Sequence, residues 1–82
     1  MVKKDGFDFQ KSTRKNKKYM VKVNNRTVHF GQLPYEHYHD KIGLYKHLNH
    51  GDKKRRDNYY SRHGQAVKYS PKWFSHRYLW PK

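Results

Sequence analysis

The sequence has no cysteine, no long apolar run and only six carboxylate side chains. Without cysteine the chain can form neither a disulfide nor a thiolate zinc site. No apolar stretch approaches the roughly 20 residues of a membrane helix, and no apolar signal region stands at the N-terminus. These absences predict a protein without a membrane span and without disulfide bridges.

Aliphatic residues are also scarce, because aromatic residues supply about half of a hydrophobic fraction of only 33%. A chain of 82 residues is expected to form one small domain of marginal stability. With so few aliphatics available, aromatic side chains must form most of the core.

Positive charge is present in large excess, since 20 lysines and arginines face six carboxylates and give a net charge of +14. Such a surplus repels itself unless counter-charge lies nearby. The expected neutralisers are nucleic acid, an acidic protein surface or an anionic membrane surface. The densest patch is KKRRDNYYSRHG at residues 53–64.

The first 17 residues are predicted to form an extended basic arm outside the folded domain, which would comprise residues 18–82. The arm has too few apolar residues to offset the entropy of ordering by itself. Phe7 and Phe9 interrupt its polar sequence. It is therefore either a disordered tail or an arm that orders on a partner, with the two phenylalanines as partner anchors.

A β-hairpin is predicted at residues 18–31, where Tyr19, Val21 and Val23 alternate with Met20 and Lys22. Asn24-Asn25 offers a two-residue turn, because asparagine tolerates the positive φ that tight hairpin turns need. That turn places Val21 opposite Val28 and Tyr19 opposite Phe30, so that one face of the hairpin is apolar.

Two short helices are predicted to pack on this hairpin, which gives a small α+β domain. The first covers residues 52–63, with Asp52 as N-cap and Gly64 after its end. The second covers residues 71–80 and follows Ser70 as N-cap, with Trp73 and Trp80 closing over the valine face. Residues 34–51 are predicted to be a loop with one or two helical turns.

Metal binding and catalysis are both weakly supported. The histidine pairs His37/His39 and His47/His50 lack accompanying cysteines, and no H-E-x-x-H motif is present. Arg62 and His63 beside two tyrosines could form a nuclease site, but no carboxylate pair is evident for a divalent ion. We therefore expect no cofactor, no metal, no small-molecule substrate and no enzymatic activity.

Binding to a polyanion is the favoured chemistry, because lysine and arginine neutralise phosphates and release counterions. The interleaved tyrosines could be core residues or could stack on unpaired bases. No RNP motif, zinc finger or clear helix-turn-helix is present, so binding is expected to be non-specific. The predicted polyanion-binding residues are Lys15, Lys17, Lys18, Lys53, Lys54, Arg55, Arg56 and Arg62.

Four pieces of the chain resemble a small family of uncharacterised basic proteins encoded by nucleocytoplasmic large DNA viruses, including chlorella viruses and mimivirus relatives. They are KKYMVKVNNRTVHFG, PYEHY, DKKRRDNYYSRHG and SPKWFSHRYLW. The resembling pattern is a strand pair ending in Phe30-Gly31, then Tyr35 to Tyr38, Arg62-His63 and Leu79-Trp80. Residues 39–51 are longer than in that pattern, which leaves the placement of Asp40 against Asp52 open.

The resemblance implies a virion protein without catalytic residues, present in host cytoplasm or nucleus during assembly. One implied role is a structural protein of the minor capsid or cementing type, whose basic surface contacts acidic virion proteins or the genome. The alternative is a non-specific DNA-binding protein that condenses the genome in the virion interior.

Overall fold

The computed structural model describes all residues from 1 to 82 and shows a four-stranded antiparallel sheet in the order β1-β2-β3-β4. Two α-helices and one 3-10 turn follow the sheet, so the predicted small α+β fold is confirmed. The elements are β1 (Val2–Lys4), β2 (Phe7–Lys11), β3 (Lys17–Val23), β4 (Arg26–Gln32), a 3-10 turn (Lys46–Leu48), α1 (Lys53–His63) and α2 (Pro71–Tyr78).

The β3–β4 hairpin forms as predicted. Val21 lies opposite Val28 and Tyr19 lies opposite Phe30. Both turn residues adopt positive φ, 48° at Asn24 and 66° at Asn25. A tight antiparallel hairpin needs this conformation, and asparagine adopts it more readily than most residues.

The predicted N-terminal arm is wrong, because residues 2–11 form the hairpin β1–β2 and extend the sheet. Its turn is Asp5-Gly6, with φ of 54° and 82°. Asp-Gly is a favoured two-residue hairpin turn, and Phe7 and Phe9 alternate with polar residues as a half-buried strand requires. Phe9 lies opposite Val21 of β3. The segment is thus ordered by this chain's own core.

Both predicted helices form with the predicted N-caps, although α2 ends at Tyr78 rather than at Trp80. The Asp52 carboxylate accepts the backbone N–H groups of Lys54 and Arg55 at 2.9 and 3.2 Å. The Ser70 hydroxyl accepts the N–H of Trp73 at 3.2 Å at the start of α2. These bonds satisfy amides that the first turn of a helix leaves free. Neither helix has the length and the apolar composition that a membrane-spanning helix requires.

Phenylalanine and tyrosine, rather than tryptophan, fill the centre of the core. Phe74 and Tyr78 of α2 are fully buried against Phe9 and Phe30, whereas Trp73 and Trp80 are only partly buried at the edge. The prediction that the tryptophans close over the valine face is therefore wrong. Helical spacing explains the difference, since Phe74 and Tyr78 are four residues apart and share the inward face of α2.

The segment between β4 and α1 is a loop with a single 3-10 turn, as predicted for residues 34–51. Asp40 holds this loop in place. Its buried carboxylate accepts the hydroxyl of Tyr19 at 2.5 Å and the backbone N–H groups of Ile42 and Tyr45 at 2.8 Å. A loop that crosses the end of a core must satisfy its amides in this way. The loop is thereby fixed to β3.

Candidate functional site: a cationic surface and cleft

Most of the positive charge has no carboxylate close to it. Of 20 lysines and arginines, only Lys3, Arg55 and Arg56 lie within 4.0 Å of a carboxylate oxygen. Three of the six carboxylates are engaged in internal bonds, because Asp40 holds the loop, Asp52 caps α1 and Asp5 accepts the hydroxyl of Tyr78. The fold therefore leaves a positive surface without neutralising it.

Helix α1 presents its cations outward because its tyrosines anchor it to α2. The hydroxyl of Tyr59 donates to Nδ1 of His76 at 2.9 Å, and the hydroxyl of Tyr60 donates to the carbonyl of Trp80. The ring of Tyr59 also stacks on Trp80 at 4.3 Å and 5°. We call the exposed cations of this helix the α1 cation surface; they are Lys53, Lys54, Arg55 and Arg62.

An open cleft of about 480 Å³ borders this surface and brings together cations from three elements. Lys17 of β3, Arg62 of α1 and Lys72 of α2 line it. Lys72 is held in place by donating to the carbonyl of His63 at 3.0 Å. The single carboxylate of the cleft belongs to Glu36, which is paired with Arg55 at 3.1 Å. The cleft can therefore accept an anionic group.

His63 lines the same cleft but adds little charge to it. Partial burial and the positive charges of Arg62 and Lys72 lower the pKa of His63. The ring lies 4.4 Å from that of Tyr59. At neutral pH it is a neutral aromatic wall, and the lysine and arginine side chains carry the charge.

Arg56, predicted to bind the polyanion, has a structural role instead. Its Nη1 donates to the carbonyl of Pro81 at 3.3 Å, and its guanidinium lies over the ring of Tyr38 at 4.7 Å. Its side chain is only 19% exposed. The arginine thus joins α1 to the C-terminal segment and to the loop, which a count of cations along a helix could not reveal.

Lys18, also predicted to bind the polyanion, is buried with 2% exposure. Its ammonium donates to Nδ1 of His37 at 3.0 Å. Burial lowers the pKa of Lys18 to about 8, although the negative charge of Asp40 acts in the opposite direction. Lys18 forms part of the cleft wall but has almost no exposed surface, so its ammonium serves an internal hydrogen bond rather than the exposed charge of the cleft.

His37 is the fully buried partner of that lysine and has a defined tautomer. Because an ammonium only donates, Nδ1 of His37 accepts, and Nε2–H donates to Oδ1 of Asn49 at 2.7 Å. Burial, followed by the charge of Lys18, lowers the pKa of His37 to about 4. The ring is a structural hydrogen-bond bridge, and no cluster of three or more His, Cys, Asp or Glu is placed to hold a metal.

The predicted partner anchors are part of the core. Phe9 is fully buried, and Phe7 packs edge-on against Phe74 at 5.3 Å and Trp73 at 6.3 Å. Neither ring is free to enter another protein. Lys15, by contrast, is exposed between β2 and β3 as the prediction requires.

The tyrosines are also mostly engaged within the chain. Only Tyr35 is strongly exposed, at 66%, whereas Tyr19, Tyr59 and Tyr78 are buried. The remaining four are partly buried. The structure therefore offers no row of exposed tyrosine faces on which several unpaired bases could stack.

Lys72 lines the cleft although it is not among the predicted polyanion-binding residues. It follows Pro71 at the start of α2, whose aromatic side chains predict only a role in the core. The available signal was its position two residues before Phe74, which places it on a different face from the buried ring. Its meeting with Arg62 depends on the packing of α1 against α2 and could not be read from spacing.

Comparison with known proteins gives one family. The sequence model described as "Family of unknown function (DUF5754)" matches residues 7–63, from the start of β2 to the end of α1. Neither a curated protein nor a solved structure matches the chain.

Proposed function

We propose, from the premise that the chain belongs to the family of unknown function DUF5754, that it is a non-catalytic basic protein that binds a polyanion. The observation that carries the proposal is the α1 cation surface with its cleft. Lys53, Lys54 and Arg62 are exposed and have no carboxylate within 4.0 Å. Such a surface binds polyanions mainly by releasing their counterions.

The polyanion that fits best is the backbone of a nucleic acid. Cations on both sides of an open cleft can follow a strand of phosphates, and Arg62 can make paired bonds to phosphate oxygens. Because nearly all tyrosine rings are packed internally, no row of free aromatic faces is available for reading bases. Binding is therefore independent of sequence.

The setting that we propose is the particle of a large DNA virus, which rests on the resemblance of the four sequence pieces described above. There the protein acts as a structural component of the minor capsid or cementing type, in contact with the genome or with acidic virion proteins. The alternative is a condensing protein of the virion interior. Locating the protein in the shell or the interior of purified particles distinguishes the two roles.

Replacing three cations tests the binding surface. The α1 triple variant, Lys53→Gln, Lys54→Gln and Arg62→Gln, removes charge without touching the internal bonds of Arg56. The slope of log K against log salt for a short duplex should become shallower by up to about 3, since each lost phosphate contact contributes about 0.9. Fluorescence anisotropy at several salt concentrations measures this slope.

A matched control separates the surface from net charge. The control triple variant, Lys22→Gln, Arg26→Gln and Lys46→Gln, also removes two lysines and one arginine, all exposed and outside the cleft. It should change affinity much less than the α1 triple. Equal effects of the two triples, or no duplex binding by the unaltered protein, would rule out the proposed surface.

A further inference from the structure

A second cationic depression lies near the C-terminal end of α2, and none of its cations was assigned to binding above. It is a groove formed by two adjoining hollows of about 580 and 460 Å³, which share Tyr60, Trp73, His76 and Lys82. Four cations line it against the single carboxylate of Asp5. The cations are Lys4, Lys41, Arg77 and Lys82.

The cations of this groove have no acidic partner, and two of them are held on aromatic rings. Arg77 lies over the ring of Trp73 at 5.2 Å, and Lys82 lies over the ring of Tyr60 at 4.3 Å. None of the four lies within 4.0 Å of a carboxylate. Cation–π contacts restrict the long side chains, so less entropy is lost when they bind an anion.

The groove and the cleft lie at opposite ends of the sheet. Lys17, at the first residue of β3, lines the cleft. Lys4, the last residue of β1, lines the groove and lies opposite Phe7 of β2. This is the end of the sheet at which β3 ends with Val23. The seven residues of β3 span about 20 Å at roughly 3.4 Å per residue. No residue lines both depressions.

The contact between α1 and α2 also separates the cleft from the groove. Tyr59 lines the cleft and Tyr60 lines the groove, and their hydroxyls bond to His76 of α2 and to the carbonyl of Trp80 just after it. On α2 itself, Lys72 and Ser75 face the cleft, whereas Arg77 faces the groove. One straight segment of phosphate backbone would have to pass over this contact to occupy both.

We propose that the groove is a second nucleic-acid-binding site, so that one protein molecule holds two duplex segments together. This inference rests on the proposed function, because the first segment occupies the α1 cation surface. The rings of Tyr60 and Trp73 are covered by their cations, so the groove contacts phosphates rather than unpaired bases. The partner is therefore duplex nucleic acid at both sites.

A bridging assay tests the second site. One short duplex is fixed to beads, and the amount of a second, fluorescent duplex that the full-length protein retains on them is measured. The groove triple variant, Lys4→Gln, Lys41→Gln and Arg77→Gln, again removes two lysines and one arginine. It should reduce the retained duplex to the level without protein, while its binding to a single duplex falls no more than that of the control triple.

Each other outcome overturns a defined part of the idea. The second site is overturned if the groove triple bridges duplexes as well as the unaltered protein does, or if the unaltered protein does not bridge them at all. Neither result contradicts binding at the α1 cation surface. Equal loss of single-duplex binding in the groove triple and the α1 triple indicates one continuous surface and also overturns it. If neither triple variant loses duplex binding, the proposed function itself is overturned.

A second variant guards against a loss of folding through Arg77. The double variant Lys4→Gln and Lys41→Gln keeps the contact between Arg77 and Trp73. It should lower the retained duplex part of the way, with an unchanged thermal unfolding midpoint. Full retention by a folded double variant counts against the groove.

Discussion

At the scale of single residues, His37 couples a buried cation to the loop that lies over the core. Its neutral ring accepts from Lys18 and donates to Asn49, and Asn49 also accepts the backbone N–H of Asp40 at 2.8 Å. A second proton on the ring would place an N–H group against the ammonium of Lys18. The arrangement therefore requires a neutral histidine.

The pH dependence of stability should reveal this requirement. The folded pKa of His37 is lowered to about 4, so the unfolded chain binds one more proton between about pH 6.5 and pH 4. The stability contributed by His37 is complete above pH 6.5 and is lost as the pH falls through that window. Between pH 7 and pH 5 we expect a loss of about 1 to 2 kcal/mol.

Urea unfolding of the protein and of His37→Gln at the two pH values measures the effect. The variant cannot take up this proton, so its free energy of unfolding should fall less between pH 7 and pH 5. An equal fall in both proteins would show that other groups govern the acid sensitivity.

At the scale of elements, the local signals that could be recognised from sequence were turns and caps. Asn24-Asn25, Asp52 and Ser70 each act within a few residues of themselves, and their elements form as predicted. The Asp5-Gly6 turn is an equally local signal, but the basic composition around it favours disorder. The prediction therefore lacks two of the four strands of the sheet.

Contacts between distant residues could not be predicted in this way. Lys18 and His37 are 19 residues apart, and Arg56 and Pro81 are 25 residues apart. Each lysine or arginine looks the same in a sequence whether it binds a ligand or a carbonyl of its own chain. Only packing decides: it gives Lys18 and Arg56 partners within the chain and brings Lys72 beside Arg62 in the cleft.

Deleting residues 1–11 should unfold the protein, contrary to the expectation for a free arm. The deletion removes two strands and the fully buried ring of Phe9. Loss of a buried phenylalanine alone costs roughly 3–5 kcal/mol, a large part of the roughly 5–15 kcal/mol that stabilises a domain. Circular dichroism and heat denaturation would detect it, and a cooperative transition in the truncated chain would contradict the assigned strands.

Gly31 should be intolerant of a side chain at the end of β4. Its φ is +80°, and an added Cβ would come within 2.8 Å of Cδ1 of Leu79. Gly6 has a φ of +82°, but a Cβ added there would have no atom within 4 Å. Gly6→Ala therefore measures the cost of the positive φ alone. We expect about 1–2 kcal/mol for Gly6→Ala and roughly 2–4 kcal/mol for Gly31→Ala. Equal values from denaturant titration would contradict the close approach of Leu79.

At the scale of the whole molecule, like charges oppose compactness. A net charge of +14 is confined within a body of 35 × 27 × 24 Å. The carboxylates that could reduce this repulsion are partly used inside the fold. Stability and binding should therefore respond to salt in opposite directions.

The thermal unfolding midpoint of the free protein should rise as sodium chloride increases from low concentration. The screening length falls from about 30 Å at 0.01 M to about 3 Å at 1 M, which weakens repulsion between surface cations. Duplex affinity should fall over the same range. Differential scanning calorimetry and anisotropy measure the two trends, and a midpoint insensitive to salt would show that repulsion contributes little.

The sheet has its helices on one side only, and Lys22 and Thr27 on its other side are exposed. This offers an experimental handle. Since the chain contains no thiol of its own, a cysteine introduced by Thr27→Cys would be the single attachment point for a fluorophore or a spin label. The label would sit away from both basic depressions and could report where the protein settles, and how it turns, inside an assembly.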